Sequence, residues 1–159
     1  MWGNATVAVS ERSELFLDLS AVLTGFDRVR LLGTGVADQY LSTLAEVVPG
    51  RVLDDLLDAY RRLPAGEQRE AALVSEILEN PTLGPVARNL IVLWYCGIWK
   101  TLPDDWRQVH GASALDADRV VSPEAYVAGL QWVAAGAHPM GARQQGFGSW
   151  ALAPEGVDG

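Results

Sequence analysis

The sequence predicts an all-α protein of about six helices in a compact orthogonal bundle, with one long loop and an extended C-terminal tail. Apolar residues recur every three or four positions in several segments, which is the spacing of one helix face. Proline or glycine follows most of these segments, as is typical of helix ends. The 159 residues, 49% of them hydrophobic, are enough for one domain with a buried core.

We divide the chain into three parts. An N-terminal extension covers residues 1–13, a helical domain covers residues 14–135, and an apolar tail covers residues 136–159. No internal repeat or low-complexity tract divides the helical domain further.

The first four helices are each followed by a breaking signal. The first is predicted over Glu14–Thr24 and is stopped by Gly25. The next three are predicted from apolar stripes over Val36–Val48, Val52–Leu63 and Ala71–Leu78. Pro49, Pro64 and Pro81 follow these stripes, and a residue before proline avoids helical geometry.

A fifth helix is predicted over Pro85–Trp99, and from Leu90 onward it is apolar on nearly every face. Such a helix lies at the centre of a fold or is covered by a partner. A polar connection over Leu102–Val120 follows, which is long for a loop in a compact domain. Ser122, Pro123 and an acidic residue then predict the start of a sixth helix.

The residue pattern changes at Gly136. The segment Gly136–Trp150 has no helical period and contains one fixed charge, Arg143, yet it includes three large apolar side chains, Met140, Phe147 and Trp150. Solvated tails are seldom so apolar. We therefore expect this segment to lie extended on another surface, and an apolar surface of this kind needs cover.

Few residues favour catalysis or metal binding in this chain. His110 and His138 are the only histidines and show no metal-ligand spacing with carboxylates. Cys96 lies in an apolar helix, where a thiol is usually unreactive. The stretch Leu31–Val36 contains two glycines and suggests a dinucleotide-binding turn, but an interhelical turn with Thr34 as a cap is the better interpretation. We expect no catalytic residue, metal or cofactor in this chain.

The charge balance also excludes some partners. The net charge of −8 and the scattered basic residues argue against nucleic acid, which needs clustered Lys and Arg. No stretch approaches the roughly 20 apolar residues of a membrane span. No secretory or twin-arginine signal is visible, which predicts a cytoplasmic protein or, alternatively, a periplasmic one carried with an exported partner.

Aromatic residues are the most informative feature. There are six tryptophans, five of them in the second half of the chain, and aromatic side chains anchor many interfaces. For Trp94 and Trp132, a place in the core is as good an interpretation as a place at an interface. The residues predicted to contact a partner are Trp94, Tyr95, Trp99, Tyr126, Trp132, His138, Pro139, Met140, Arg143, Phe147 and Trp150.

Motifs at five places resemble, in the same order, the small (gamma) subunit of FAD-dependent sorbitol, glucose and fructose dehydrogenase complexes. The resemblance depends on the ordered set and not on any single motif. The motifs are Phe16–Gly25, Tyr40–Leu41, Leu93–Ile98, Tyr126–Trp132 and Ala137–Ala151.

The resemblance implies a non-catalytic role. In such complexes a large flavoprotein of the GMC type holds FAD and oxidises a sugar or polyol, and a cytochrome c subunit often takes the electrons onward. The small subunit packs on the large one and supports its folding, cofactor loading, stability or export. We therefore expect a large GMC-type partner, with FAD bound there.

Two alternatives belong to other classes of protein. One is a stand-alone small helical enzyme or ligand-binding protein that uses His138 and Arg143 near a pocket. The other is a self-associating structural protein, which predicts a stable homo-oligomer. Activity and size measurements on the purified chain distinguish both from an accessory subunit.

Overall fold

The computed structural model describes the backbone of residues 2–139 and the side chains of residues 10–139. Helices dominate this part of the chain, as predicted. They are α1 Trp2–Thr24, α2 Arg28–Gly33, α3 Ala37–Val47, α4 Gly50–Arg61, α5 Gln68–Leu73, α6 Leu83–Cys96, α7 Asp104–His110, α8 Pro123–Ala128 and α9 Leu130–Ala134. A π-helical turn over Val74–Leu78 continues α5, and strands β1 Ile98–Trp99 and β2 Arg119–Val120 form a two-stranded sheet.

Helix α1 ends where the sequence predicts and begins much earlier. Gly25 follows it with a φ of 78°, a left-handed conformation that glycine adopts without steric penalty. Phe16 and Leu19 face the interior and are almost completely buried. The helix begins at Trp2, so the predicted start at Glu14 is wrong and residues assigned to the N-terminal extension continue the same helix.

The core is built around α6. This helix contacts α1, α4, the π-helical turn, β1, α8 and α9, and its residues Leu90, Leu93 and Trp94 are buried. Its central position explains why its sequence is apolar on nearly every face. The predicted end at Trp99 is wrong, because Gly97 adopts a φ of 69° and turns the chain into β1.

The connection predicted as a loop over Leu102–Val120 contains regular structure. Pro103 precedes the short helix α7, and Arg119 and Val120 form β2. The two strands are antiparallel, with Ile98 opposite Val120. Helix α7 has only seven residues, too few to show a clear period in the sequence.

Two further differences concern the helix count. Helix α2 occupies residues that the sequence analysis assigned to a turn, and Leu31 lies in it. The preferred interpretation as an interhelical turn is therefore wrong for Leu31–Gly33, which are helical, while Thr34 does cap the end of α2 by donating from Oγ1 to the carbonyl of Leu31 at 2.6 Å. The predicted sixth helix is divided at Gly129 into α8 and α9.

The start of α8 confirms a cap predicted from sequence. Ser122 Oγ accepts a hydrogen bond from the backbone N–H of Ala125 at 3.0 Å, and Pro123 occupies the first turn.

Among the helices of residues 2–139, none combines the length and the apolar character required to cross a membrane.

Candidate partner interface

A groove of about 820 Å³ runs between α2 and the α8–α9 pair. Both walls mix apolar and polar side chains. The lining residues are Asp27, Val29, Arg30, Gly33, Thr34, Pro123, Glu124, Val127, Ala128, Gly129, Leu130, Trp132, Val133 and Ala137. Its volume falls within the range of about 300–1,000 Å³ typical of binding pockets.

Helix α2 presents two exposed apolar side chains, of which Val29 lines the groove and Leu32 lies outside its lining. Val29 is 80% exposed and Leu32, three residues later on the same helix, is 52% exposed. Leu31 between them is completely buried and anchors the helix to the core. Helix α2 therefore holds an apolar outer surface in a fixed position.

Polar contacts fix where α2 starts and how it lies on α1. Asp27 Oδ1 accepts from the backbone N–H of Arg30 at 2.8 Å and caps the first turn. Arg28 pairs with Asp18, at 2.7 Å between Nη1 and Oδ1, and with Glu14 on the same helix. The hydrogen bonds from these two carboxylates, that of Glu14 first, raise the pKa of Arg28 above its ordinary value.

The opposite wall is organised by an aromatic pair. The rings of Tyr126 and Trp132 meet edge to face, 5.4 Å apart, and Trp132 Nε1 donates to the Tyr126 carbonyl at 2.8 Å. Val133, 43% exposed, adds an apolar side chain beside them, and buried Leu130 holds α9 to the core. The indole of Trp132 is thus held rigidly in the groove wall.

Glycine positions let this wall approach α6 closely. A Cβ at Gly129 would lie 2.7 Å from the carbonyl oxygen of Tyr95, and one at Gly97 would lie 2.5 Å from the carbonyl of Ala125. Both neighbours are backbone atoms, which cannot swing aside. The hydroxyl of Tyr95 in turn donates to the Thr24 carbonyl at 2.8 Å, so one residue of α6 contacts both the end of α1 and the α8–α9 junction.

Two predicted interface residues lie in the core. Trp94 packs edge to face on Tyr40, with ring centroids 4.8 Å apart, and stacks on Phe16 at 6.3 Å with an angle of 27° between the rings. Trp99 is completely buried and donates from Nε1 to Asp116 at 2.8 Å. The chain itself covers both indoles, so a partner cannot contact them in this conformation. Tyr40 is itself buried beside Trp94, and this burial raises the pKa of its hydroxyl above the ordinary range.

The remaining predicted residues fall into two groups. Tyr95, Tyr126 and Trp132 are half-buried around the α8–α9 junction, while His138 is exposed and Pro139 buried just beyond the groove. The other four lie outside the described residues; they are Met140, Arg143, Phe147 and Trp150.

Sequence reasoning missed the α2 side of the groove. Val29 and Leu32 are not among the predicted contact residues, because a six-residue helix presents fewer than two turns of pattern. The available signal was Asp27, an N-cap residue type followed by apolar residues.

Two of the reactive side chains, His110 and Cys96, have structural contacts. His110 packs against Trp106 at 4.8 Å, with Nε2 3.4 Å from Thr82 Oγ1. Cys96 Sγ is 3.7 Å from the Gln131 side-chain oxygen, a contact between α6 and α9. No group of three or more His, Cys, Asp or Glu side chains in this part of the chain could hold a metal ion.

Comparisons of the chain with protein-family models, with curated proteins and with solved structures found no match.

Proposed function

We propose that this chain is a non-catalytic accessory subunit that binds and stabilises a larger catalytic protein. The observation that supports this most directly is the exposed apolar surface on rigid helices, formed by Val29 and Leu32 on α2 and Val133 on α9. Side chains anchored in this way lose little conformational freedom on binding, which favours association.

The identity of the partner is proposed from the sequence resemblance. We propose a GMC-type flavoprotein that holds FAD and oxidises a sugar or polyol, with a cytochrome c subunit as a further partner where electrons pass onward. The motif Tyr126–Trp132, which contributes to the resemblance, also builds one wall of the groove. The apolar surface and the motif therefore occupy neighbouring parts of the molecule.

In this proposal the chain supports its partner's folding, cofactor loading or export by covering apolar surface. The contact includes the outer face of α2, the exposed edge of α9 and the segment after Pro139. Interfaces between obligate subunits commonly bury about 2,000 Å² or more, so the groove region is one part of a larger contact. Catalysis and FAD belong to the partner.

Co-expression with a GMC-type flavoprotein from the same organism tests the proposal. We expect a yellow complex that co-purifies with this chain and reduces an artificial electron acceptor when a sugar is added. Without this chain, the large subunit should be less soluble or contain less FAD. A large subunit that is equally soluble, equally loaded with FAD and equally active alone would contradict the proposal.

Measurements on the purified chain distinguish the accessory subunit from the two alternative classes of protein. Turnover or ligand binding by the purified chain, lost on His138→Ala, would favour a stand-alone protein. A stable homo-oligomer with no affinity for the flavoprotein would favour a self-associating structural protein.

A further inference from the structure

The groove contains two carboxylates and one cation among its described lining residues. Asp27 lies on the α2 side, Glu124 lies on the α8 side, and Arg30 provides the positive charge. The same lining includes the apolar side chains of Val29, Trp132 and Val133. A segment that fits this groove therefore needs apolar side chains and one positive charge.

The chain's own C-terminal segment begins at this groove. After α9, Gly136 adopts a φ of 64° and reverses the chain. The N–H of Ala137 then donates to the Trp132 carbonyl at 2.7 Å, and Ala137 itself lines the groove. Pro139 is the last described residue, and residues 140–159 follow.

The composition of that segment matches the groove. Residues 140–152 carry a single charge, Arg143, and four large apolar side chains, Met140, Phe147, Trp150 and Leu152, while Glu155 and Asp158 follow nearer the end. Arg143 follows Pro139 by four positions, so an extended chain brings it up to about 13 Å away, and Phe147 up to about 26 Å. Both reach the groove from its edge.

We propose that the segment after Pro139 docks back into the groove between α2 and α8–α9, with Arg143 beside Asp27 and Glu124 and the apolar side chains against Val29 and Trp132. Covalent attachment gives the segment an effective concentration in the millimolar range, well above that of a second copy in dilute solution. Leu32 lies outside the groove lining and stays available to a partner. The inference concerns the isolated chain, before the segment is released to contact a partner, and does not depend on the proposed flavoprotein.

Thiol labelling of the full chain tests the proposal. Val29→Cys and Val109→Cys form a matched pair, because the two valines are 80% and 73% exposed and Val109 lies on α7, outside the groove lining. The variants are labelled with a maleimide, and mass spectrometry of peptides separates the new cysteine from Cys96. A docking equilibrium constant of about ten would slow labelling at position 29 about tenfold relative to position 109.

Charge substitutions then identify the segment responsible. Arg143→Glu should make the two positions react at equal rates, because it places a third carboxylate beside Asp27 and Glu124. Arg143→Lys should keep most of the protection. Val133→Cys provides a second groove position should Val29→Cys alter the fold.

Three results would overturn the proposal. One is equal labelling at positions 29 and 109 in the chain with the unchanged tail. Another is protection at position 29 that persists in Arg143→Glu together with Phe147→Ala and Trp150→Ala. The third is protection that disappears on dilution, which would show that a second copy covers the groove.

Discussion

The carboxylate of Asp116 accepts a 2.8 Å hydrogen bond from the indole N–H of Trp99, and both side chains are buried. The same carboxylate accepts from the backbone N–H of Leu102 at 3.1 Å and lies 3.0 Å from Nε of Arg107. One carboxylate thus connects β1, the segment after it and α7.

Asp116→Ala should lower the free energy of unfolding by about 3 kcal/mol or more, because it leaves buried donors unpaired. Chemical denaturation checks this value. Asp104→Ala is the matched control, since Asp104 approaches the same Arg107 at 3.6 Å but is exposed. A surface pair of this kind contributes about 1 kcal/mol or less. Equal losses in the two variants would contradict a special role for Asp116.

We predict that Trp94 stabilises the core of the free subunit. Trp94→Ala removes the ring that contacts Phe16 and Tyr40, and we expect a loss of about 3–5 kcal/mol in unfolding free energy. Trp94→Phe should be much milder, because it keeps an aromatic ring and Nε1 has no hydrogen-bond partner among the described residues. Similar thermal stability of Trp94→Ala and the unchanged chain would show that the ring lies elsewhere.

Gly129→Ala should disturb the groove wall. The φ of Gly129 is −51°, which alanine adopts easily, so the expected effect comes from crowding of a Cβ, above all its 2.7 Å approach to the Tyr95 carbonyl. We expect a loss of about 1–3 kcal/mol, the range for overpacking, measured by thermal unfolding. Gly50→Ala meets nothing within 4 Å and should leave stability unchanged or slightly higher. Identical behaviour of the two variants would refute the close packing at Gly129.

Leu32→Asp should weaken assembly with the proposed partner without unfolding the subunit. Leu32 is 52% exposed on the outer face of α2, and a buried unpaired carboxylate at an interface is strongly unfavourable. A loss of about 2 kcal/mol or more in binding free energy is expected if Leu32 is a hot spot, measured by calorimetry on purified subunits. Val109→Asp, on the exposed face of α7, should bind normally. A larger loss of affinity in Val109→Asp than in Leu32→Asp would instead place the interface on α7.

Phe147→Ala and Trp150→Ala together should weaken the same assembly by a few kcal/mol, because aromatic anchors dominate many interfaces. The measurement is again calorimetric titration. Unchanged affinity would show that the C-terminal segment does not anchor the partner.

Asp118 should contribute to stability in an acid-dependent way. Hydrogen bonds from Lys100, and then from the Thr101 backbone and hydroxyl, lower the pKa of Asp118 to about 2. Because the folded-state pKa is depressed, the contribution is complete above the unfolded-state pKa of about 4 and is lost as the pH falls towards about 2. Asp118→Asn should reduce the difference in melting temperature between pH 5 and pH 2.5.

Asp55→Asn is the matched control for that experiment. Asp55 is an exposed aspartate on α4, and its side chain has no hydrogen bond or ion pair to the described residues. We expect its acid dependence to match that of the unchanged chain. An equal effect of both substitutions would mean that net charge, and not the contacts of Asp118, controls acid stability.

The sequence by itself determined the helical character and most helix ends. Gly25 adopts a left-handed backbone conformation and ends α1, and Ser122 caps α8. These features depend on the residue and its immediate neighbours, so they can be predicted from the sequence. The apolar run in α6 similarly predicted a central helix.

Only the tertiary structure decided which aromatic residues belong to the core and which line a surface. Trp94 and Trp132 have similar sequence surroundings, yet Trp94 is enclosed by Phe16 and Tyr40 while Trp132 lines a groove opposite Val29. The difference arises from how separate helices pack, and packing depends on contacts between residues far apart in the chain. The groove itself requires α2 and α9 to lie on opposite sides of one cleft, and no local sequence pattern predicts that arrangement.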